Sequence, residues 1–260
     1  MPIEFDTSVP SSARVWNYWL GGKDHFSVDE AAGDAYLTIA PQVAVMARES
    51  RAYLIRAVRF LTAEQGIRQF LDVGTGLPTA DNTHAVAQAI APNARIVYVD
   101  NDPQVLAHAR TLLYSSPEGV TDYIDSDVCE PEAILEAARR TLDFDKPIAL
   151  MLMGILGHVR DYNEALAIVR HLKASLPKGS YLVHYDGIDE DADLQKAQQG
   201  YDDTGAAPYV LRSPSQLARF HDGLTLLEPG VVSCPFWHPD PKSDSAPQHT
   251  DIYGGVSRKR

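Results

Sequence analysis

The sequence is poor in cysteine, in basic residues and in long apolar runs. Its 260 residues hold two cysteines, Cys129 and Cys234, far apart and with no C-x-x-C pair. That excludes a disulfide scaffold and a structural zinc ribbon, and it suits a reducing compartment. Lysine and arginine number 23 against 35 aspartates and glutamates, a formal charge of −12. A surface of that sign repels a phosphate backbone, so nucleic acid is not an expected partner. The most apolar run, Ile148 to Leu156, falls far short of the roughly 20 residues that a membrane-spanning helix needs. The opening residues, Met1-Pro2-Ile3-Glu4-Phe5-Asp6, are too polar for a secretory signal. The expectation is a cytoplasmic protein with no membrane partner. No group of His, Cys and acids has convincing metal-ligand spacing, so no metal is expected either.

What is present is a regular alternation. Hydrophobic residues make up 45% of the chain, enough for a full core, and the length fits one large α/β domain with an appendage. Strand-like runs at Arg68–Val73, Arg95–Asp100, Val120–Ile124, Pro147–Met153 and Ser180–Tyr185 are separated by helical patterns. Asp102-Pro103, Glu130-Pro131 and the segment from Tyr162 open those helices. Strand and helix in turn mean a parallel sheet with right-handed crossovers. After Asp186 the rhythm changes. Asp189 to Asp203 reads as an exposed helix or an insertion. Gly223–Glu228, Val231–Ser233 and Ile252–Val256 read as late strands on an antiparallel edge. Arg258-Lys259-Arg260 reads as a solvated tail.

Residues 1–66 precede the first strand and read as an N-terminal helical cap; residues 67–260 form the sheet domain. In the cap, Trp16, Trp19 and Leu20 have helical spacing and Gly21 is a stop signal. This segment is either a short helix stapled to the core or a lid over a ligand. A longer helix from Gln42 to Gln65 carries Val43, Met46, Ala47, Leu54, Val58 and Leu61 on one face.

The chain is organised around Asp72-Val73-Gly74-Thr75-Gly76-Leu77-Pro78-Thr79. An apolar strand ends in an acid, and two glycines then allow a tight turn and bare backbone. Thr79 or Asp81 is placed to cap the helix through Ala85, Val86 and Ala89, whose N-terminus offers unpaired N–H groups. Three acids, Asp72, Asp100 and Asp127, fall at or just beyond the ends of consecutive strands, the edge where open parallel sheets bind ligands. Asp100 is spaced from Gly76 to meet ribose hydroxyls. Asp127 suits an exocyclic amine, and Asp72 an ammonium. An acidic site is ill suited to a pyrophosphate and suits a ligand with amines and a positive sulfur.

These motifs, with Val97-Tyr98-Val99-Asp100-Asn101-Asp102-Pro103 and Asp125-Ser126-Asp127, resemble the cofactor motifs of class I S-adenosylmethionine-dependent methyltransferases. More narrowly, Ala13-Arg14-Val15-Trp16-Asn17-Tyr18-Trp19-Leu20-Gly21-Gly22-Lys23-Asp24 resembles the N-terminal signature of a bacterial S-adenosyl methyltransferase family long carried as a domain of unknown function. Leu176 to Leu182, Gly223 to Gly230 and Tyr253 to Lys259 extend the likeness over nearly the whole chain. The resemblance implies an α/β, Rossmann-like, mostly parallel seven-stranded sheet with helices on both faces, an antiparallel C-terminal edge and an N-terminal helical cap. It implies S-adenosylmethionine as cofactor. Gly74 and Gly76 would approach its methionine part with Asp72 beneath, Asp100 would take the ribose and Asp127 the adenine amine, and Thr75, Asn101 and Val128 are offered as further cofactor-binding residues. Arg14, Tyr18 and Lys23 are offered for its carboxylate.

Methyl transfer needs alignment more than a covalent triad, and none is visible. His158 after strand four is the candidate base, and His184 ends strand five on the same edge. Tyr209 and Trp237-His238 are candidates to line the acceptor pocket. The leading reading is a methyltransferase with a small-molecule acceptor. A non-catalytic sensor of the cofactor or its demethylated product would use the same acids. A nicotinamide-dependent oxidoreductase is opposed by Thr79, by the late first strand and by the lack of a Tyr-x-x-x-Lys signature.

Overall fold

Three helices precede the sheet: α1 (Ser12–Trp19), α2 (Ser27–Ile39) and α3 (Val43–Arg59), the last widening to a π turn over Phe60–Glu64. The structure, a computed structural model, describes residues 6–78, 81–112, 114–241 and 246–260. Helix α3 buries Val43, Met46, Ala47, Leu54 and Val58, the stripe set by their helical period. The start of the chain is held by Asp29, which is fully buried in α2. Its carboxylate accepts the Ser11 and Phe26 N–H groups and pairs with the Arg14 guanidinium at 2.7 Å. Gly22 closes this turn, since a Cβ there would lie 2.3 Å from the Asn17 side chain.

Five parallel strands follow: β1 (Gln69–Val73), β2 (Arg95–Asp100), β3 (Val120–Asp125), β4 (Ala149–Met153) and β5 (Tyr181–Gly187). Their crossovers are α4 (Thr83–Ile90), α5 (Pro103–Leu112), α6 (Pro131–Ala138) and α7 (Tyr162–Ser175). Alternate side chains feed two cores. Phe70, Ile96, Ala149 and Val183 join Val58 and Val86 on one face; Leu71, Val97, Leu150 and Leu182 join Ile134 and Leu172 on the other.

The chain then forms α8 (Ala192–Asp202), α9 (Pro214–Arg219) and three late strands, β6 (Thr225–Leu226), β7 (Val232–Ser233) and β8 (Ile252–Arg258). The strand order is β3-β2-β1-β4-β5-β8-β6, with β7 also on β8 and all three late strands antiparallel to their neighbours. Among the described residues the sheet has eight strands rather than seven. Pro229-Gly230, with Gly230 at φ +99°, splits the edge into two short pieces that pair with opposite ends of β8.

One further alternative is decided and one expectation gives way. The segment Asp189–Asp203 is a helix rather than a loose insertion, exposed on its outer side but with Leu194, Ala197 and Tyr201 buried on the face that lies against α2. The C-terminal residues are not a free tail. Arg258 is paired in β8, and the Lys259 ammonium donates to the Lys173 and Ala174 carbonyls at the end of α7, where a cation is favoured.

Candidate functional site

A cavity of about 530 Å³ runs across the C-terminal ends of β3, β2, β1, β4 and β5. Between β1 and β4 the strand order reverses direction, the point where such sheets bind ligands. The β1 loop is built for close approach. Gly74 lies at φ +76°, and a Cβ there would lie 2.5 Å from Ile155. Gly76 lies at φ +63° with nothing within 4 Å of its missing Cβ, so its backbone is bare. The Gly74 and Thr75 N–H groups both donate to the Val99 carbonyl, which ties the loop to β2.

The acids meet at this end of the cavity. Asp100 accepts the Gly76 N–H at 2.9 Å and the Asp102 N–H at 3.0 Å, one on each oxygen. The Thr75 hydroxyl lies 3.5 Å from the oxygen that Gly76 bonds. Burial raises the pKa of Asp100, with those backbone bonds opposing. Asp72 is 4% exposed and accepts the Thr83 hydroxyl at 2.6 Å. Burial lifts its pKa from 3.8 to about 6, partly offset by Thr83 and by the Arg51 charge. Asp127 accepts the Asn101 amide at 2.8 Å and the Cys129 N–H at 2.8 Å. Beside it the buried Ser126 hydroxyl carries no hydrogen-bond partner.

The other end is apolar. Met153, Tyr185 and Ile252 come from the sheet, Leu194 and Tyr201 from α8, and Trp16 and Trp19 from α1. His158 stands where the two ends meet the β4 loop. Its Nδ1 lies 3.0 Å from the Pro208 carbonyl. A carbonyl only accepts, so Nδ1 carries the proton and Nε2 the lone pair. Burial lowers the pKa of His158, so the ring is neutral at neutral pH. Tyr209 crosses it edge-on at 5.1 Å and donates its hydroxyl to Asp186 at 2.6 Å. Its ring fits over Gly157, where a Cβ would lie 2.3 Å away.

Most of the residues picked from the sequence therefore share one wall. Asp72, Gly74, Thr75 and Gly76 line the cavity, as do Asp100, Asn101, Asp127 and Val128, and so do His158 and Tyr209. Others do not. Arg14 is turned inward to Asp29 and the Val9 carbonyl. Tyr18 donates to Asp34 on α2, and Lys23 is exposed away from the cavity. His184 lies fully buried against Asp186, Phe220 and His221, beneath the edge rather than on it. Trp237 is core, packed against Tyr53, Phe60 and His238. Helix α4 starts at Thr83 behind Asn82, not behind Asp81, which sits at φ +59°; Thr79 lies outside the described residues. The sequence reading missed Met46, Ser50, Arg51 and Leu54, the cavity-facing stripe of α3. A charge at Arg51 inside an otherwise apolar period was the available signal.

The donor set fits a ligand rich in hydroxyls and amines: acceptor-only carboxylates, a bare glycine loop and a free serine hydroxyl. A family model described as S-adenosyl methyltransferase matches residues 1–260. The chain belongs to that family. It is an S-adenosylmethionine-dependent methyltransferase with a Rossmann-like fold. A DUF574 family protein from Streptomyces avermitilis is 42% identical, with a TM-score of 0.93 over 99% of this chain and 100% of that one. A candidate methyltransferase from Thermobifida fusca is 39% identical, with a TM-score of 0.89 over 98% and 97%. The N-methyltransferase NodS from Bradyrhizobium japonicum, solved with S-adenosyl-L-homocysteine, shares the fold at 15% identity, with a TM-score of 0.50 over 86% and 98%. Among curated proteins none matches. Among the described residues no helix is long and apolar enough to cross a membrane, and no cluster of three or more His, Cys, Asp or Glu is placed to hold a metal.

Proposed function

We propose that this methyltransferase acts on a small-molecule acceptor, enclosed in the half of the cavity beyond His158. The observation that carries this is the single continuous cavity. The acids of three consecutive strands line one end, and a neutral histidine with its Nδ1 proton fixed lines the middle. Asp100 accepts from the ribose hydroxyls with Asn101 beside it. Asp127 accepts from the adenine amine, with Val128 against the ring. Asp72 and the Gly74-Thr75-Gly76 loop flank the methionine part. When bound, S-adenosylmethionine supplies a methyl group already activated on a positive sulfur. The chain has then to orient the acceptor, keep water out and take up a proton. His158 receives that proton at Nε2, its only free lone pair. Helix α1 reaches over the site from the cap, where the Ser11 hydroxyl bonds Asp102 at 3.0 Å and the Asp24 carbonyl accepts from Gln104. Within the cap, 1–66, the segment Ser11 to Asp24 thus acts as the lid of the sheet domain 67–260, while α3 packs into its core.

The test has two parts. Calorimetric titration of S-adenosylmethionine and S-adenosylhomocysteine should show binding to wild type that is lost in Asp100→Ala. Cell extract split into dialysable and protein fractions is then offered with isotope-labelled cofactor. Label entering only the dialysable fraction supports the proposal. Label entering only protein overturns the small-molecule acceptor. Tight binding of both cofactor forms with no label transferred to either fraction would favour a sensor.

A further inference from the structure

The acceptor half of the cavity has a chemical character of its own. Six aromatic side chains line it: Trp16, Trp19, Tyr36, Tyr185, Tyr201 and Tyr209. Three of them are linked through edge-on ring contacts. Trp16 and Trp19 meet edge-on at 5.6 Å, and Trp19 and Tyr36 at 5.0 Å. Leu194, Leu211 and Ile252 fill the spaces between them. The carboxylates among the described lining residues are elsewhere: Asp100, Asp102 and Asp127 lie at the ends of β2 and β3. Arg51 lies between Asp72 and Tyr185, its charge acting on both. Besides the hydroxyls of the four tyrosines, the polar groups in this half are Asn17, Ser50, Gln198 and His158, none carrying a fixed charge.

These features sort the acceptors. An anion would exchange its water for apolar walls, would find among the described lining residues one cation, Arg51, already beside Asp72, and would face four aspartates along the cavity. A cation would share the cavity with the positive sulfur of the cofactor. A neutral molecule meets neither cost. An aromatic one gains ring contacts beyond simple area burial, from edges and faces already arranged at stacking distances. We infer that the acceptor is an uncharged aromatic molecule held between α1, α8 and the ends of β4, β5 and β8. This inference rests on the methyl-transfer reading above.

The experiment is a calorimetric titration with three probes of one size, naphthol, naphthoate and decalol, into protein saturated with S-adenosylhomocysteine. The affinity for S-adenosylhomocysteine is measured first. Naphthol should bind at least about tenfold more tightly than naphthoate or decalol. Trp19→Ala should weaken naphthol at least about tenfold, and Trp19→Phe should restore most of it. Leu211→Lys places a cation on the partly buried wall and should reverse the order, with naphthoate now bound more tightly than naphthol. That gain is one that damage to the fold would not produce. Naphthoate or decalol binding wild type as well as naphthol does, or no naphthol binding, overturns the inference while S-adenosylhomocysteine binding leaves the methyltransferase reading intact. No S-adenosylhomocysteine binding removes both.

Discussion

Asp72 should cost the cofactor-free protein stability, and removing its charge should return it. The carboxyl is 4% exposed, with Thr83 as its hydrogen-bond partner. Its pKa moves from 3.8 to about 6, chiefly because burial disfavours the ionised form. A gap of about two pH units is worth about 3 kcal/mol. The sign follows from proton uptake. The native state holds this proton more tightly than the unfolded chain, so the stability it lends is complete below about pH 4 and is lost as pH rises through about 6. Asp72→Asn keeps an oxygen to accept from Thr83 and carries no charge. It should therefore be up to about 3 kcal/mol more stable than wild type near pH 8 and nearly equal to it near pH 4. Urea denaturation across that range measures both. The same variant should bind S-adenosylmethionine more weakly, a trade of function against stability. Wild type should also release a proton on binding near pH 6, seen by calorimetry in buffers of different ionisation enthalpy. If Asp72→Asn is less stable than wild type near pH 8 and keeps the wild-type pH slope, the burial argument is wrong.

Other outcomes follow from single contacts. Asp100→Ala removes an acceptor for two hydroxyls and should weaken S-adenosylhomocysteine about 100-fold, from about 3 kcal/mol of charge-assisted bonding, with circular dichroism unchanged. Arg14→Ala strands the buried Asp29 carboxylate and should cost about 3–5 kcal/mol in chemical denaturation. In the folded fraction, calorimetry should find cofactor affinity nearly intact, because Arg14 faces Asp29 rather than the cavity. Gly74→Ala drives a methyl group into Ile155 at positive φ, so cofactor binding should fail in the calorimeter even where the protein folds. His158 should titrate below its ordinary value of 6.5 by NMR, and its Nδ1 proton should be observable above that midpoint.

The acid end of the cavity was legible in the sequence because its parts are local. An apolar strand closing on an acid recurs at β1 and β2, followed by a glycine turn at β1 and by Asn101-Asp102-Pro103 at β2, all within a few residues. Asp102 before Pro103 set the start of α5, and its carboxylate does accept the Gln104 N–H at 2.8 Å. Errors arose where a contact spans the fold. Arg14 sits in a distinctive motif, but its partner Asp29 lies fifteen residues on, and only the α1–α2 packing brings them together. Trp237 is next to a histidine in sequence, yet Tyr53 and Phe60 of another helix claim its ring. The apolar residues of α8 lie among acids, so Leu194, Ala197 and Tyr201 stood out only once α2 was seen to cover them.

The acceptor end was illegible for a different reason. Its wall is assembled from α1, α3, α8 and the ends of β4, β5 and β8, of which β5 and α8 alone follow one another directly in the chain. Its interactions are also of a kind that leaves little trace. A ribose hydroxyl demands an acceptor at one point, and few residue types supply it. An apolar ring demands volume and surface, which Leu, Ile, Trp, Tyr and Met all supply in varied combinations. A methyltransferase can therefore keep its cofactor acids fixed while its acceptor changes through substitutions that look like ordinary core residues. Trp16 and Trp19 show the consequence. As letters they read equally well as a staple onto the core or as a lid. In the folded chain Trp19 does both, donating its indole N–H to the Gly33 carbonyl while it forms part of the cavity wall. On the proposal that the apolar half holds the acceptor, specificity resides in side chains whose chemistry is ordinary one at a time, and it becomes visible only as a shared surface.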